Sequence, residues 1–403
     1  MSPDPEIAPR RRRPLPKLFK PGDLPDDAYF NAPYGLFARQ KIKAMKARNL
    51  IQANRPLEET QFQPASLDLR LSKEAFRVRA SFLPGRGHSV RERLKSLNAE
   101  PVSLAGDGAV LEKGIVYVAR LAETLHLLPS LSGAANPKSS TGRLDIFTRL
   151  IVDGGDVFDA APLGYHGELW LEISPRSFSV RAREGSRLNQ LRFRSRNSQQ
   201  FNLFDFAIRD DEIRERHAVQ PLVDGELMLR EGLVVSVALS GAPGEIVGYR
   251  AIKNSDVIDV DKPRGYAAAD FWEPIRARPD GRLILDPDEF YILASREKMQ
   301  IPSDLAAEMA PIDPAIGEFR VHYAGFFDPG FGQGPDGRPG ARAVLEVRSR
   351  DVPFLLEDGQ PVGRLVYETL ADAADELYGA TAVSNYQGQG LKLSKHFRDF
   401  DAG

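Results

Sequence analysis

The chain contains an internal repeat, and this repeat limits the choice of fold more than any other feature of the sequence. Residues 167–193 align without a gap to residues 341–367, at a constant separation of 174 positions. The identical pairs are Leu171/Leu345, Glu172/Glu346, Arg176/Arg350, Gly185/Gly359 and Leu191/Leu365. A repeat of this length is a duplicated domain, because solenoid units are only about 20–50 residues long. We therefore predict two related domains, residues 33–200 (the first copy) and residues 201–403 (the second copy).

Both copies consist of short apolar segments separated by Gly, Pro, Asp and Asn. Alternation and β-branched residues are typical of half-buried strands, and the spacing of the segments predicts a β-barrel or jelly roll. Predicted strands include residues 169–173, 178–182, 188–193, 343–347 and 364–367. Helices are predicted over residues 35–47 and 370–377. The expected fold class is mainly β, with two tandem barrels and a few short helices.

Cysteine is absent from the chain, which excludes disulfides and thiolate chemistry. His166 and Glu168 match the His-x-Glu part of the zinc nucleobase deaminase signature, but that signature also needs a cysteine pair. The six histidines show no metal-ligand spacing. The sequence therefore predicts no zinc and no other transition metal bound by the protein.

The charge pattern gives no general attraction to nucleic acid or membranes, because the net charge is only −2. Residues 1–32 are predicted to be a disordered, proline-rich tail, and its four arginines at residues 10–13 leave a nucleic-acid-binding arm as the alternative. We expect neither a membrane-spanning segment nor a secretory leader from this sequence. A cytoplasmic protein without nucleic-acid or membrane partners is the expectation.

A basic, hydroxyl-rich turn precedes an apolar run in the first copy. It reads Lys-Ser-Ser-Thr-Gly-Arg at residues 138–143 and either holds an anion, usually a phosphate, or is a solvated loop. Glu172 and Glu346 pose a similar choice, because each lies inside an apolar strand at the same position of the repeat. Each is either a solvent-facing carboxylate or a partly buried one that takes and returns a proton in catalysis.

Taken together, these motifs resemble the dCTP deaminase branch of the dUTPase fold. The matching stretches are QPASLDLRL at 63–71, KSSTGR at 138–143, Gly-x-x-x-Leu-Glu at 167–172 with its counterpart at 341–346, and NYQGQ at 385–389. The resemblance implies a zinc-free hydrolase of pyrimidine deoxynucleotide metabolism, built from jelly-roll barrels that share active sites. It also implies a homo-oligomer, with a trimer favoured, and dTTP as a feedback inhibitor.

The resemblance assigns roles to individual residues. Lys138, Ser139, Ser140 and Arg143 match the phosphate loop, and Ser139 and Arg143 also approach the catalytic centre in this family. Glu172 and Glu346 both match the catalytic Glu. Other residues match the hairpin that binds sugar and base, the strand beside it and the closing tail. They are Ala324, Asp328, Phe331, Val344, Tyr378, Tyr386 and Gln389. Asn385 departs from the pattern, because a Lys is expected there.

Each copy has lost a different part of the family's motif set. The second copy reads PIDPAI at residues 311–316, where the phosphate loop should be, and the first copy has Phe158 and Pro162 at the hairpin positions. We therefore predict one composite site, with the loop from the first copy and the hairpin and Glu346 from the second. Residues 333–340 are an insertion beside this site. Whether Glu172 serves a second site stays open.

The implied reaction is hydrolysis of dCTP to dUTP and ammonia, with Glu346 as general acid and base and Mg²⁺ arriving on the triphosphate. A dUTP pyrophosphatase, or a bifunctional enzyme that releases dUMP, is the nearest alternative because it shares the fold and the phosphate loop. A nucleotide-binding regulator without catalysis is the alternative of another class.

Overall fold

The computed structural model describes residues 29–30, 34–195, 206–311, 320–321, 325–334, 336–349, 351–380 and 388–400. Residues 10–13 of the predicted tail lie outside these ranges, as do Ala324 and Tyr386. Tyr29 and Phe30 were predicted to belong to the tail, but both are buried, and Phe30 packs against Phe37 with ring centroids 5.9 Å apart. The first domain therefore begins before residue 33.

Thirteen strands are described in the first copy. They are β1 (Gly35–Leu36), β2 (Ile51–Ala53), β3 (Leu67–Leu69), β4 (Leu71–Val78), β5 (Glu100–Ser103), β6 (Ala109–Leu111), β7 (Val116–His126), β8 (Leu131–Pro137), β9 (Ile146–Val152), β10 (Ala160–Ala161), β11 (His166–Pro175), β12 (Val180–Ala182) and β13 (Asn189–Ser195). The described helices of this copy are α1 (Arg39–Ala47), α2 (Val90–Ser96) and the short turn α3 (Ser139–Gly142), with a 3₁₀ turn at Glu59–Gln61.

The described part of the second copy contains fourteen strands. They are β14 (Leu233–Ser236), β15 (Ile246–Ala251), β16 (Ile258–Asp259), β17 (Tyr266–Ala267), β18 (Trp272–Arg276), β19 (Arg282–Leu285), β20 (Phe290–Met299), β21 (Leu305–Pro311), β22 (Arg320–Val321), β23 (Phe326–Phe327), β24 (Ala341–Arg348), β25 (Phe354–Glu357), β26 (Pro361–Thr369) and β27 (Phe397–Arg398). Helix α4 (Asp210–Val219) precedes them, and a 3₁₀ turn follows β17 at Ala268–Asp270.

The sheets of the two copies correspond strand by strand. The order β13-β8-β10 in the first copy is repeated as β26-β21-β23 in the second, and β7-β11-β9 is repeated as β20-β24-β22. The small pair β6 and β12 also has a counterpart in β19 and β25. This confirms the mainly β fold with two tandem barrels, and the strands predicted from alternation all overlap observed strands.

The helix predictions were only partly correct. Helix α1 begins at Arg39 rather than at residue 35, because Gly35 and Leu36 pair with the edge of β13. Residues 370–377 are not helical. Their backbone donors bond to other segments, with Ala371 N donating to Leu36 O at 2.7 Å and Ala374 N to Ser303 O at 3.0 Å. Hydrogen bonds to segments distant in the sequence, one in each copy, therefore override helix propensity at this position.

Strand alternation separates the core of each copy from the face that meets its neighbour. In β24, Ala343, Leu345 and Val347 lie in the core of the second copy. Successive side chains of a strand point to opposite faces, so Val344 and Glu346 point the other way. Val344 packs against the core cluster that is centred on the first copy. The second copy thus docks through this outer face of its sheet.

The equivalent face of the first copy is covered by its own residues. Trp170 of β11 is fully buried in a cluster with Val90 and Leu94 of helix α2. This helix is stabilised by a capping box, in which Ser89 and Glu92 satisfy each other's backbone N–H groups. The docking of the two copies is therefore asymmetric, although their folds match.

A second contact between the copies joins β13 of the first copy to β26 of the second. Arg194 Nη2 donates to Glu368 Oε1 at 3.0 Å, and both side chains are buried. These two residues occupy equivalent positions of the repeat, 174 apart. Apolar residues from both copies pack together nearby, namely Leu36, Ala38, Ala65, Ala306 and Leu370. The described parts of the two copies are thus joined by a buried interface.

Candidate active site

A cavity of about 590 Å³ opens between the two copies. Its wall combines the basic loop of the first copy with the hairpin, β24 and C-terminal residues of the second copy. The lining residues that sequence analysis had singled out are Lys138, Ser139, Ser140, Arg143, Asp328, Phe331, Val344, Glu346, Tyr378 and Gln389. The cavity therefore gathers residues from both copies of one chain.

The basic loop lies directly against the carboxylate of Glu346. Residues 138–143 leave β8 and form the tight turn α3, in which Gly142 N bonds to Lys138 O at 3.0 Å and Arg143 N to Ser139 O at 3.1 Å. A Cβ at Gly142 would lie only 2.8 Å from Glu346 Oε1 and 2.7 Å from its Cδ. A side chain at this position would displace the carboxylate, so the glycine permits the close approach.

Glu346 lies on the outer face of β24. Arg348, the next residue on that face, connects the strand to the basic loop. The Glu346 side chain is only 3% exposed. Arg348 donates to the carboxylate of Asp145, which follows the loop, and to Ser177 Oγ at 3.2 Å. Burial raises the pKa of Asp145, and the Arg348 guanidinium opposes this shift. This buried contact fixes the strand of one copy to the loop of the other.

The hairpin of the second copy is held by Arg192 of the first. Arg192 is fully buried and donates to Phe327 O at 2.9 Å and to Ala307 O at 3.0 Å. Its guanidinium lies 4.0 Å from the Phe326 ring centroid and 3.5 Å from Asp328 Oδ1. Burial raises the pKa of Asp328, and Arg192 opposes that rise. One arginine thus organises the hairpin backbone and the carboxylate that faces the cavity.

The C-terminal segment closes over the basic loop. Arg143 donates to Gln389 Oε1 at 3.0 Å and to Lys392 O at 3.1 Å. Gln389 is itself tied to β24, because its Nε2 donates to Arg342 O at 3.2 Å. Ser394 Oγ donates to Ser140 O at 2.9 Å. The segment therefore connects the loop to the strand that carries Glu346.

Several cations of the cavity wall are each paired with a carboxylate. The pairs are Lys138 with Asp68, Arg187 with Glu58, and Arg183 with Asp261. Asp68 is only 1% exposed, so its pairing with Lys138 is sheltered from solvent. These carboxylates hold the cationic side chains in position at the cavity wall.

The structure does not bring Glu172 to this cavity. Glu172 is buried and pairs with Arg149 at 2.8 Å. The Arg149 guanidinium lies 3.5 Å from the ring centroid of Phe158, one of the residues that replace the hairpin in this copy. Asp159 lies half-buried in the same copy, and desolvation raises its pKa to about 7. In the first copy, Arg149 and the ring of Phe158 therefore occupy the space around Glu172.

Residue patterns alone missed three groups at the site. Arg192, Arg348 and Lys395 were not singled out, although Arg192 and Arg194 alternate with Leu191 and Phe193 in β13. Two arginines on one face of an otherwise apolar strand predict a buried ionic contact, since an arginine is seldom buried without a partner. The sequence of β13 thus indicates a buried ionic contact, but it does not identify the carboxylates that the two arginines contact.

Among the residues that the structure describes, no group of three or more His, Asp or Glu side chains could hold a metal ion. The described helices include none that is long and apolar enough to cross a membrane.

Comparison with known proteins identifies the family. Models of the N-terminal and C-terminal domains of 2′-deoxycytidine 5′-triphosphate deaminase match residues 33–197 and 209–397. The "dCTP deaminase, dUMP-forming" of Kocuria rhizophila is 32% identical over 119 residues, covering 28% of this chain and 58% of the relative. That of Rhodococcus opacus is 32% identical over 133 residues, covering 32% and 65%. The chain thus spans about three fifths of the length of these curated relatives.

A solved structure matches most of the chain. The crystal structure of 2′-deoxycytidine 5′-triphosphate deaminase from Agrobacterium tumefaciens is 49% identical, with a TM-score of 0.78, and the match covers 84% of this chain and 99% of that one. The resemblance seen in the motifs is thereby confirmed, and the double-length form agrees with the two domain models. The chain belongs to the 2′-deoxycytidine 5′-triphosphate (dCTP) deaminase family.

Proposed function

We propose that the protein binds dCTP in this cavity and hydrolyses the bond between C4 of cytosine and its amino group, giving dUTP and ammonia. The observation that carries this proposal is the contact of the Glu346 carboxylate with Gly142 of the basic loop. This contact supports the proposal because Glu346, a potential proton carrier, lines the same cavity as Ser139, Arg143 and the hairpin residue Asp328. Family membership supports dCTP as the substrate.

In the proposed mechanism Glu346 takes a proton from a water molecule and gives it to ring atom N3 of cytosine. The water oxygen forms a bond to C4, and the Glu then transfers the second proton to the amino group, which leaves as ammonia. General acid–base catalysis of this kind contributes about 10²–10⁴-fold. Burial between two rigid elements, β24 and α3, favours a fixed orientation of the carboxylate.

The other site residues take binding roles in the proposal. Lys138, Ser140 and Arg143 hold the triphosphate, and Asp328 accepts from the 3′-hydroxyl of the deoxyribose. Phe331, Val344 and Tyr378 complete the wall around sugar and base, since all three line the cavity. Mg²⁺ enters as the counter-ion of the triphosphate, because it prefers phosphate oxygens and water.

A bifunctional reaction that continues to dUMP is the second candidate. The observation that favours it is the name of the Kocuria and Rhodococcus relatives, "dCTP deaminase, dUMP-forming". Product analysis of purified protein with dCTP and Mg²⁺ separates the two. We expect dUTP and ammonia in equal amounts. Stoichiometric dUMP and pyrophosphate would establish the bifunctional reaction, and no ammonia at all would refute deamination.

Replacing Gly142 with Ala tests the contact on which the proposal rests. The new methyl group would overlap the Glu346 carboxylate, so we expect kcat for dCTP to fall by about 10²-fold, as for other small displacements of catalytic groups. The matched control is Gly390→Ala, because a Cβ at Gly390 meets nothing within 4 Å. Equal kcat values for the two variants would show that the position of the carboxylate is not critical.

A further inference from the structure

The final described segment, residues 388–400, forms a strap along the cavity wall, and two of its residues, Gln389 and Lys395, line the cavity together with Lys138 and Arg187 of the first copy. We propose that Lys395 is a substrate-binding residue that contacts the polyphosphate of the nucleotide together with Lys138. Only the identity of the nucleotide in this inference rests on the proposed function. The inference itself concerns a binding site for a polyphosphate chain.

Both neighbours of Lys395 are fixed by hydrogen bonds to different parts of the site. Ser394 Oγ donates to the carbonyl of Ser140 in the basic loop at 2.9 Å. His396 is buried, and its ring lies 2.8 Å from Val260 O through Nε2 and 2.9 Å from Ser394 Oγ through Nδ1. Burial lowers the pKa of His396 to about 4, so the ring is neutral at pH 7. Lys395 is therefore held at a defined place relative to the loop.

Aromatic packing anchors the end of the strap. Phe397 is 5% exposed and packs against Phe271 and Trp272, with ring centroids 5.4 and 5.9 Å away. Strand β27, which contains Phe397, pairs in parallel with β17, and Phe400 stacks on Tyr249 at 5.2 Å. These contacts lie within the second copy, whereas Ser394 reaches the first. The strap is thus anchored in the second copy, and Lys395 lies where the two copies meet.

The charges around Lys395 favour an anionic ligand. Burial lowers the pKa of Lys395, and the nearby Lys138 lowers it further, while Asp68 and Asp261 act in the opposite direction. Asp68 is already paired with Lys138. Two ammonium groups that repel each other at the wall of one cavity are both stabilised when a polyphosphate places negative charge between them.

The test measures binding of inorganic tripolyphosphate, dCTP and dCMP to wild-type protein, Lys395→Gln and Lys395→Arg. We expect Lys395→Gln to weaken tripolyphosphate and dCTP about 10- to 100-fold, as for loss of one or two hydrogen bonds to a charged group, with Lys395→Arg recovering part of the affinity. Binding of dCMP should change much less. The matched control is Lys392→Gln, which removes the same charge from an exposed strap residue that does not line the cavity.

The inference and the proposed function fail in different ways. Unchanged tripolyphosphate affinity in Lys395→Gln, or an equal loss in Lys392→Gln, would overturn the role of Lys395 whatever the enzyme catalyses. Absence of tripolyphosphate binding by the wild-type protein would also overturn it. If tripolyphosphate binds as expected but dCTP is not deaminated, the inference stands and the proposed function fails. A melting temperature of Lys395→Gln close to that of wild type shows that the strap still folds.

Discussion

Replacing Glu346 with Gln should lower kcat for dCTP deamination by about 10²–10⁴-fold, the usual contribution of a general acid–base group. Gln preserves the shape of the side chain but cannot accept the proton of water, so binding of dCTP should change little. The fall should therefore appear in kcat rather than in KM. Steady-state release of ammonia, together with the measured affinity for dCTP, separates the two effects.

The matched control is Glu172→Gln, because Glu172 occupies the equivalent position of the other copy. Its partner is Arg149, and it does not line the cavity, so kcat per folded molecule should stay near the wild-type value. Deamination that is lost in Glu172→Gln and kept in Glu346→Gln would place the chemistry in the first copy. Such a result would contradict the composite site.

Replacing Arg192 with Met should destabilise the protein by about 3–5 kcal/mol, the usual cost of breaking a buried ion pair. The substitution removes the donor to Phe327 O and Ala307 O and leaves the buried carboxylate of Asp328 without its ion-pair partner. We expect a lower melting temperature and a higher KM for dCTP, because the hairpin loses the side chain that orders it.

The control variant for Arg192→Met is Arg282→Met. Arg282 pairs with Glu357 at 2.8 Å, but both side chains are 53% exposed, so its loss should cost at most about 1 kcal/mol. Similar melting temperatures for the two variants would show that the buried arginine does not hold the copies together. A fall in melting temperature without a change in KM would limit Arg192 to a structural role.

The repeat and the strand alternation were enough to predict the architecture, whereas the residues expected at the site came from the family resemblance. Alternation left open which way Glu172 and Glu346 point, whereas the complementary motif losses predicted that loop and hairpin come from different copies. Alternation succeeds here because each sheet buries one face in its own core, which fixes the register of the strand. The described members of the predicted composite site do line one cavity.

Contacts between segments distant in the sequence were beyond the reach of local patterns. The predicted helix over residues 370–377 failed because its backbone donors bond to Leu36 and Ser303, which are distant in the sequence. Lys395 gave no signal because its position depends on the path of the strap. Ala324 and Tyr386 lie outside the described residues, so their assigned roles stay predictions.

The central claim is that one chain supplies both halves of a single site, with the loop from the first copy and Glu346 from the second. Co-expression of Arg143→Gln and Glu346→Gln chains, compared with each variant expressed alone, tests this claim most directly. If each site is built within one chain, every site in the mixture carries one defect, and dCTP deamination should stay at the level of the single variants. Substantial recovery of ammonia release would show that loop and carboxylate meet between chains, which would contradict the account.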